Sequence, residues 1–194
     1  MPAPPFRPQS PTNPRTDFAT HVVDVETRPN GAYVVSNDGF SGGHNADNFL
    51  AALNDPKQTG RPPPGRIENS EPVYGPGGEI VGETLTYRLP KYKADGVTAQ
   101  TANADGTGPF IFRDNAAVKT VYYPDKIPDA QMVANLERAG TDAFDKYGPD
   151  VQATVGVGRS RTERVTFDGL TYEVRLKVDA NGDVVVENAH LVSP

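Results

Sequence analysis

The chain has 194 residues, no cysteine, and a formal net charge of −6 with a pI of about 5.0. Its length allows one domain with its own core, and the missing cysteines exclude disulfides, thiolate nucleophiles and cysteine-ligated metals. The negative charge argues against a protein that coats nucleic acid through bulk charge, but it leaves room for a local basic cleft. No apolar run approaches the roughly 20 residues that a membrane-spanning helix needs, so no membrane contact is expected.

The first 16 residues contain six prolines among polar residues. This composition is typical of a linker or a disordered leader, because it offers little apolar surface to a core. Residues 17–194 are therefore expected to form a single domain.

In the first half of that domain, loops separate short elements. Long loops are expected at about 57–78 and 91–109, where proline, glycine and polar residues are concentrated. Helical spacing of apolar residues predicts a first helix at 45–54. β-prone runs predict strands at 21–25, 32–35, 79–89, 110–112 and 118–123.

The second half begins with the strongest helical pattern of the chain. An apolar stripe predicts a helix over 129–147, which Gly148-Pro149 should end. Four strands should follow, with hairpin turns at Asp168-Gly169 and 179–182; they span 151–157, 163–167, 170–178 and 183–192. This order predicts an α+β fold with two main helices packed on an antiparallel sheet and a β-rich C-terminal half.

The segment Ser41-Gly42-Gly43-His44-Asn45 precedes the first of these helices. Glycines permit close approach of a backbone or a phosphate, and the N–H groups at a helix start attract anions. Since an imidazole titrates near neutrality, His44 is the strongest catalytic candidate. The alternative is a structural helix start whose histidine is solvated or caps the helix.

The other two histidines are weaker candidates. His21 stands in a β-prone run and could face either solvent or a cleft, and its position favours a structural role. His190, between Ala189 and Leu191, is expected to be half-buried and structural. No HExxH pattern or similar spacing is present, so neither a metal site nor a cofactor is predicted.

Metal-free cleavage of RNA needs a base for the 2′-OH, an acid for the leaving 5′-oxygen and a cation for the phosphorane. Lys119 and Thr120 could join the histidines, but strand alternation sends them to opposite faces, so only one can point at His44. Lys119 could equally be an ordinary edge-strand lysine. Arg159 and Arg161 could bind RNA phosphates, although a plain polar turn fits them as well.

Several blocks in order resemble a known group of proteins: the Gly-Gly-His-Asn helix start, then Lys119-Thr120-Val121-Tyr122-Tyr123-Pro124, then 129–132. They are similar to the C-terminal toxin domains of bacterial contact-dependent inhibition and polymorphic toxin proteins. The pairing of His21 with His44 also resembles EndoU-type ribonucleases. The resemblance implies a fold of the barnase, EndoU, colicin and RelE type.

The resemblance further implies roles for individual residues. His44 would be general base or acid with His21 as its counterpart, Lys119 would stabilise the phosphate, and Thr120 or Tyr122 would position the substrate. The helix-start residues Gly43 and Asn45, together with Arg159 and Arg161, are the predicted substrate-binding residues.

The function expected is that of a metal-independent endoribonuclease toxin, cleaving tRNA or another structured RNA by 2′-OH transesterification. Such a toxin would be a monomer, secreted within a larger toxin protein, and would act in the cytoplasm of a competing bacterial cell. Its partners would be the RNA substrate and a cognate immunity protein. The alternatives are a toxin of different chemistry, such as a metal-dependent DNase, and a non-catalytic phage or secretion-system binding module.

Overall fold

A computed structural model describes residues 18–29, 31, 33–36, 39–55, 65–93 and 98–193. Over these residues the fold is α+β with a β-rich C-terminal half, as predicted. Within these ranges there are three helices: α1 (Phe18–Val23), α2 (Ala46–Asn54) and α3 (Asp129–Thr154). The strands are β1 (Val35–Ser36), β2 (Gly39–Phe40), β3 (Arg66–Tyr74), β4 (Ile80–Arg88), β5 (Ala117–Tyr122), β6 (Ser160–Phe167), β7 (Leu170–Val178) and β8 (Val184–Val192). The Pro-rich segment at 1–16 lies outside the described residues.

The C-terminal sheet is an antiparallel meander with strand order β6-β7-β8, and α3 covers one of its faces. The turn between β6 and β7 is Asp168-Gly169, with φ of 50° and 74°. Two positive φ values suit the tight hairpin turn predicted there. The main core lies between this sheet and α3; it includes Met132, Leu136, Tyr172, Val174 and Leu176.

A second antiparallel sheet has the order β3-β4-β5, and the short pair β1-β2 forms a third. Phe49 and Leu53 of α2 pack with Leu85 and Tyr87 of β4 in a second core cluster. Strand β5 also contacts β8, so the two larger sheets meet along these strands. None of the helices within the described ranges is long and apolar enough to cross a membrane.

Helix α3 corrects the predicted stop at Gly148-Pro149 and the predicted strand at 151–157. It continues through Pro149 to Thr154. A proline inside a helix lacks the N–H for the i−4 bond, but Val151 in the next turn is 0% exposed and belongs to the main core. Burial of this turn therefore outweighs the local helix-breaking signal.

Three further predictions are wrong. Residues predicted as the strand at 21–25 form α1 up to Val23, because Phe18, His21 and Val22 share one buried helical face. Of the loop predicted at 57–78, residues 57–64 lie outside the described residues, and the remainder contains β3, which pairs with β4 along its length. Residues 110–112 make only isolated bridges, Thr101 with Phe110 and Pro90 with Phe112.

Candidate active site

The backbone around Gly43 fixes the position of His44. The Gly43 N–H donates to the His21 carbonyl at 3.0 Å, and the His44 N–H donates to the Val22 carbonyl at 2.7 Å. Gly43 has a φ of 69°, and a Cβ there would lie 2.3 Å from Val25 Cγ2. Glycine is therefore required for this loop to lie against the end of α1.

The hydrogen bonding of His44 defines its tautomer. Its Nδ1 lies 2.9 Å from the Thr120 carbonyl oxygen. Because a carbonyl only accepts, Nδ1 carries the proton and Nε2 carries the lone pair. That Nε2 is buried and has no hydrogen-bond partner among the described residues. The arrangement leaves one basic nitrogen unengaged.

Burial and charge both keep His44 neutral. Desolvation lowers the pKa of His44 well below its usual value, and Lys119, His190 and His21 lower it further. The hydrogen bond to Thr120 opposes this effect only in part. A neutral imidazole with an unengaged Nε2 can accept a proton.

His21 lies on the buried face of α1. Its ring centroid is 6.2 Å from that of His44. The His21 Nδ1 lies 2.7 Å from Glu26 Oε1, and both side chains are buried. Although burial raises the pKa of Glu26, hydrogen bonds and charge from His21 outweigh it and lower that pKa. An ionised Glu26 can compensate a positive charge on His21.

Lys119 of β5 is half-buried and belongs to the same group of side chains. Its charge contributes to the lowered pKa values of both His44 and His190, and to that of Glu26. Burial lowers the pKa of Lys119 to about 7, although Glu26 opposes the shift. Lys119 is therefore a cation whose charge changes near neutral pH.

His190 is the member of the group that was predicted to be structural. Its ring stacks on His44 with centroids 5.5 Å apart and an interplanar angle of 16°. Burial lowers the pKa of His190 to about 4, and the charges of Lys119, Arg164 and His21 add to the shift. The only signal in the sequence is alternation: Ala189 and Leu191 face the core, so His190 faces away from it.

We call His21, His44, Lys119 and His190 the histidine-lysine cluster. His21 is 3% exposed and His44 is 5% exposed, whereas Lys119 and His190 are half-buried. A ligand approaching this cluster therefore meets Lys119 and His190 first.

The structure places Thr120 and Tyr122 outside the cluster. The Thr120 hydroxyl lies 3.1 Å from that of Thr84 on the neighbouring strand, which agrees with the predicted alternation against Lys119. The buried Tyr122 hydroxyl donates to Asp129 at 2.7 Å. Thr120 nevertheless orients His44 through its backbone carbonyl.

Most of the predicted substrate-binding residues are also engaged elsewhere. The Asn45 side chain caps α2 by accepting from the Asp47 and Asn48 N–H groups, and it donates to Asp129. The Gly43 N–H donates to the His21 carbonyl of α1. Arg161 pairs with Asp150 at 2.7 Å on the side of the sheet that faces α3, and Arg159 lies in the turn before β6. Among the residues described, no group of three or more His, Asp and Glu side chains is arranged to hold a metal ion.

No protein-family model matches the chain, and a search of curated proteins finds no relative.

Proposed function

We propose that the chain is a metal-independent endoribonuclease whose acid-base chemistry is carried by the histidine-lysine cluster. The observation that carries the proposal is the buried His44 imidazole. Its Nδ1 proton is fixed by the Thr120 carbonyl, its Nε2 is unengaged, and two further histidines and a lysine lie around it.

The roles follow from the state of each group. His44 Nε2 would take the proton of the ribose 2′-OH, and the 2′-oxygen would then attack phosphorus. His21, in its protonated form beside the Glu26 carboxylate, would give a proton to the departing 5′-oxygen. The products would be a 2′,3′-cyclic phosphate and a 5′-hydroxyl, and the Lys119 ammonium would stabilise the charge of the phosphorane.

The stacking of His190 on His44 adds a requirement to this mechanism. Because His44 is 5% exposed and His21 3% exposed, the ribose can reach them only when side chains around the cluster move, and the half-buried His190 ring that stacks on His44 is the candidate. We therefore assign His190 to the substrate side of the site, as a movable cover of the base.

The test is a His44→Asn variant, whose side-chain amide can still donate to the Thr120 carbonyl but has no basic nitrogen. General acid-base catalysis by one group typically contributes about 10²–10⁴-fold to a rate. We expect cleavage of bacterial RNA in EDTA to fall by at least about 10²-fold. Urea unfolding of the variant checks the fold. Parent-level cleavage by a folded His44→Asn protein would contradict the assignment.

The near-complete burial of His21 and His44 favours a second candidate, a non-catalytic binding module in which the histidines stabilise the packing of the His44 segment against α1 and β5. In that case the parent protein would cleave no RNA with or without Mg²⁺. The His44 variant would then lose stability rather than activity. An RNA-directed toxin with a cognate immunity protein remains the proposal that we favour, since it gives the unengaged His44 Nε2 a chemical use.

A further inference from the structure

The C-terminal sheet has one face that α3 does not cover. Strand alternation places Val174 and Leu176 against α3 and sends Arg164, Arg175 and Lys177 to the opposite side. The side chains of these three cations are 59%, 57% and 37% exposed. We call this side of β6, β7 and β8 the open face.

The open face is continuous with the histidine-lysine cluster. Arg164, Glu173 and His190 are directly opposite one another on β6, β7 and β8. Neighbouring strands are about 4.8 Å apart, so Arg164 lies about 10 Å across the sheet from His190. The charge of Arg164 reaches the cluster, because it is one cause of the lowered pKa of His190.

Charge on the open face differs from that of the whole chain, whose net charge is −6. Arg164, Arg175 and Lys177 outnumber the two carboxylates, Glu173 and Glu187. Lys119 at the adjoining edge adds a further cation when it is protonated. A polyanion would therefore meet a locally favourable surface beside the cluster.

The cations of this face differ in how far they are already engaged. Arg175 and Lys177 lie 3.0 and 2.7 Å from the carboxylate of Glu187. The Arg164 contact with Glu173 is longer, at 3.6 Å, which exceeds hydrogen-bond range. Within the described part of the chain, no acceptor therefore hydrogen-bonds the Arg164 guanidinium, and a guanidinium matches the oxygens of a phosphate.

We infer that the open face binds the sugar-phosphate backbone of the RNA beside the scissile bond, with Arg164 as its main phosphate contact. This inference rests on the proposed ribonuclease function and adds the path of the substrate strand. The RNA runs across β6 and β7 toward His190, and Lys119 receives the scissile phosphate. Glu173 lies between the two, with its carboxylate 3.6 Å from Arg164 Nε and 3.8 Å from His190 Nε2.

The test measures binding separately from cleavage. A fluorescent oligonucleotide with 2′-O-methyl riboses has no 2′-OH to react, so its anisotropy reports binding alone. The Arg164→Ala variant is compared with Arg138→Ala on α3, which removes the same charge from a side chain of similar exposure, 55%. We expect Arg164→Ala to raise Kd about tenfold and to reduce the salt dependence by about one released ion.

The outcomes separate this inference from the proposed function. Equal binding by Arg164→Ala and the parent, or an equal loss in Arg138→Ala, overturns the inference even if RNA is cleaved. Specific weakening in Arg164→Ala supports the binding path even if the parent cleaves nothing, which would overturn only the catalytic proposal. Absence of binding by the parent also overturns the inference, and an acidic protein would then be the expected ligand of the open face. With cleavable RNA, we expect Arg164→Ala to raise KM more than it lowers kcat.

Discussion

At the scale of single residues, Glu26 interacts with two members of the cluster, His21 and Lys119. It accepts from His21 at 2.7 Å, and its charge raises the pKa of Lys119 against the effect of burial. Replacing Glu26 with glutamine keeps a hydrogen-bond acceptor for His21 but removes the negative charge. The pKa of Lys119 should therefore fall below its present value of about 7.

The proposed mechanism needs Lys119 and His21 protonated and His44 neutral. Activity should then decline above about pH 7 in the parent, and in Glu26→Gln the decline should begin at lower pH. The pH profile of kcat/KM measures this shift. Glu163→Gln, which removes a carboxylate that pairs with Arg161 instead, should keep the profile of the parent. Identical profiles in Glu26→Gln and the parent would contradict the role of Lys119.

Sequence reasoning could find part of this site. The Gly-Gly-His helix start singled out His44, and strand alternation separated Lys119 from Thr120. Glu26 and His190 could not be assigned, because α1 was predicted as a strand and His190 is 146 positions from His44. His190 reaches His44 only because β8 packs against β5, and no local sequence pattern encodes that contact.

At the scale of elements, helix α3 also shows that tertiary contacts can override local sequence signals. Strands β7 and β8 follow alternation and hairpin signals, so their bounds could be predicted almost to the residue. The end of α3 could not, because its last turn depends on the burial of Val151 rather than on the local preference of Gly148-Pro149. At the end of α3 the local signals and the tertiary contacts disagree, and the tertiary contacts determine where the helix ends.

This explanation makes a stability prediction for Pro149, which is exposed and lies inside the helix. Pro149→Ala restores a backbone N–H and removes the ring clash with the preceding turn, so it should stabilise the fold by about 1–3 kcal/mol. Urea unfolding measures the change. Pro128→Ala is the matched control, because Pro128 precedes the first turn of α3, where proline is well tolerated. A destabilised Pro149→Ala protein, or equal gains in both variants, would count against this account.

At the scale of the whole molecule, burial of the cluster makes folding sensitive to acid. His190 has a pKa of about 4 when folded, against about 6.5 for an exposed imidazole. Between these values the unfolded chain binds a proton that the folded chain does not, so stability falls as the pH falls. The loss from His190 alone should reach about 3 kcal/mol below pH 4.

Urea unfolding at pH 7, 6 and 5 tests this linkage. The free energy of unfolding of the parent should decrease steadily over this range, and His44 should contribute in the same direction because its pKa is also lowered. His190→Gln has no group that titrates there, so its free energy should decrease less. Parallel curves for the parent and His190→Gln would show that burial of His190 does not oppose its protonation.

The central claim is that the cluster activates a ribose 2′-OH without a metal. The most direct measurement uses a DNA oligonucleotide with a single ribonucleotide, incubated with the protein in EDTA and examined by mass spectrometry. We predict cleavage after the ribonucleotide, with a 2′,3′-cyclic phosphate on one fragment and a 5′-hydroxyl on the other, and none of the all-deoxy strand. Cleavage of both strands, or of neither while total RNA is also left intact, would contradict the claim.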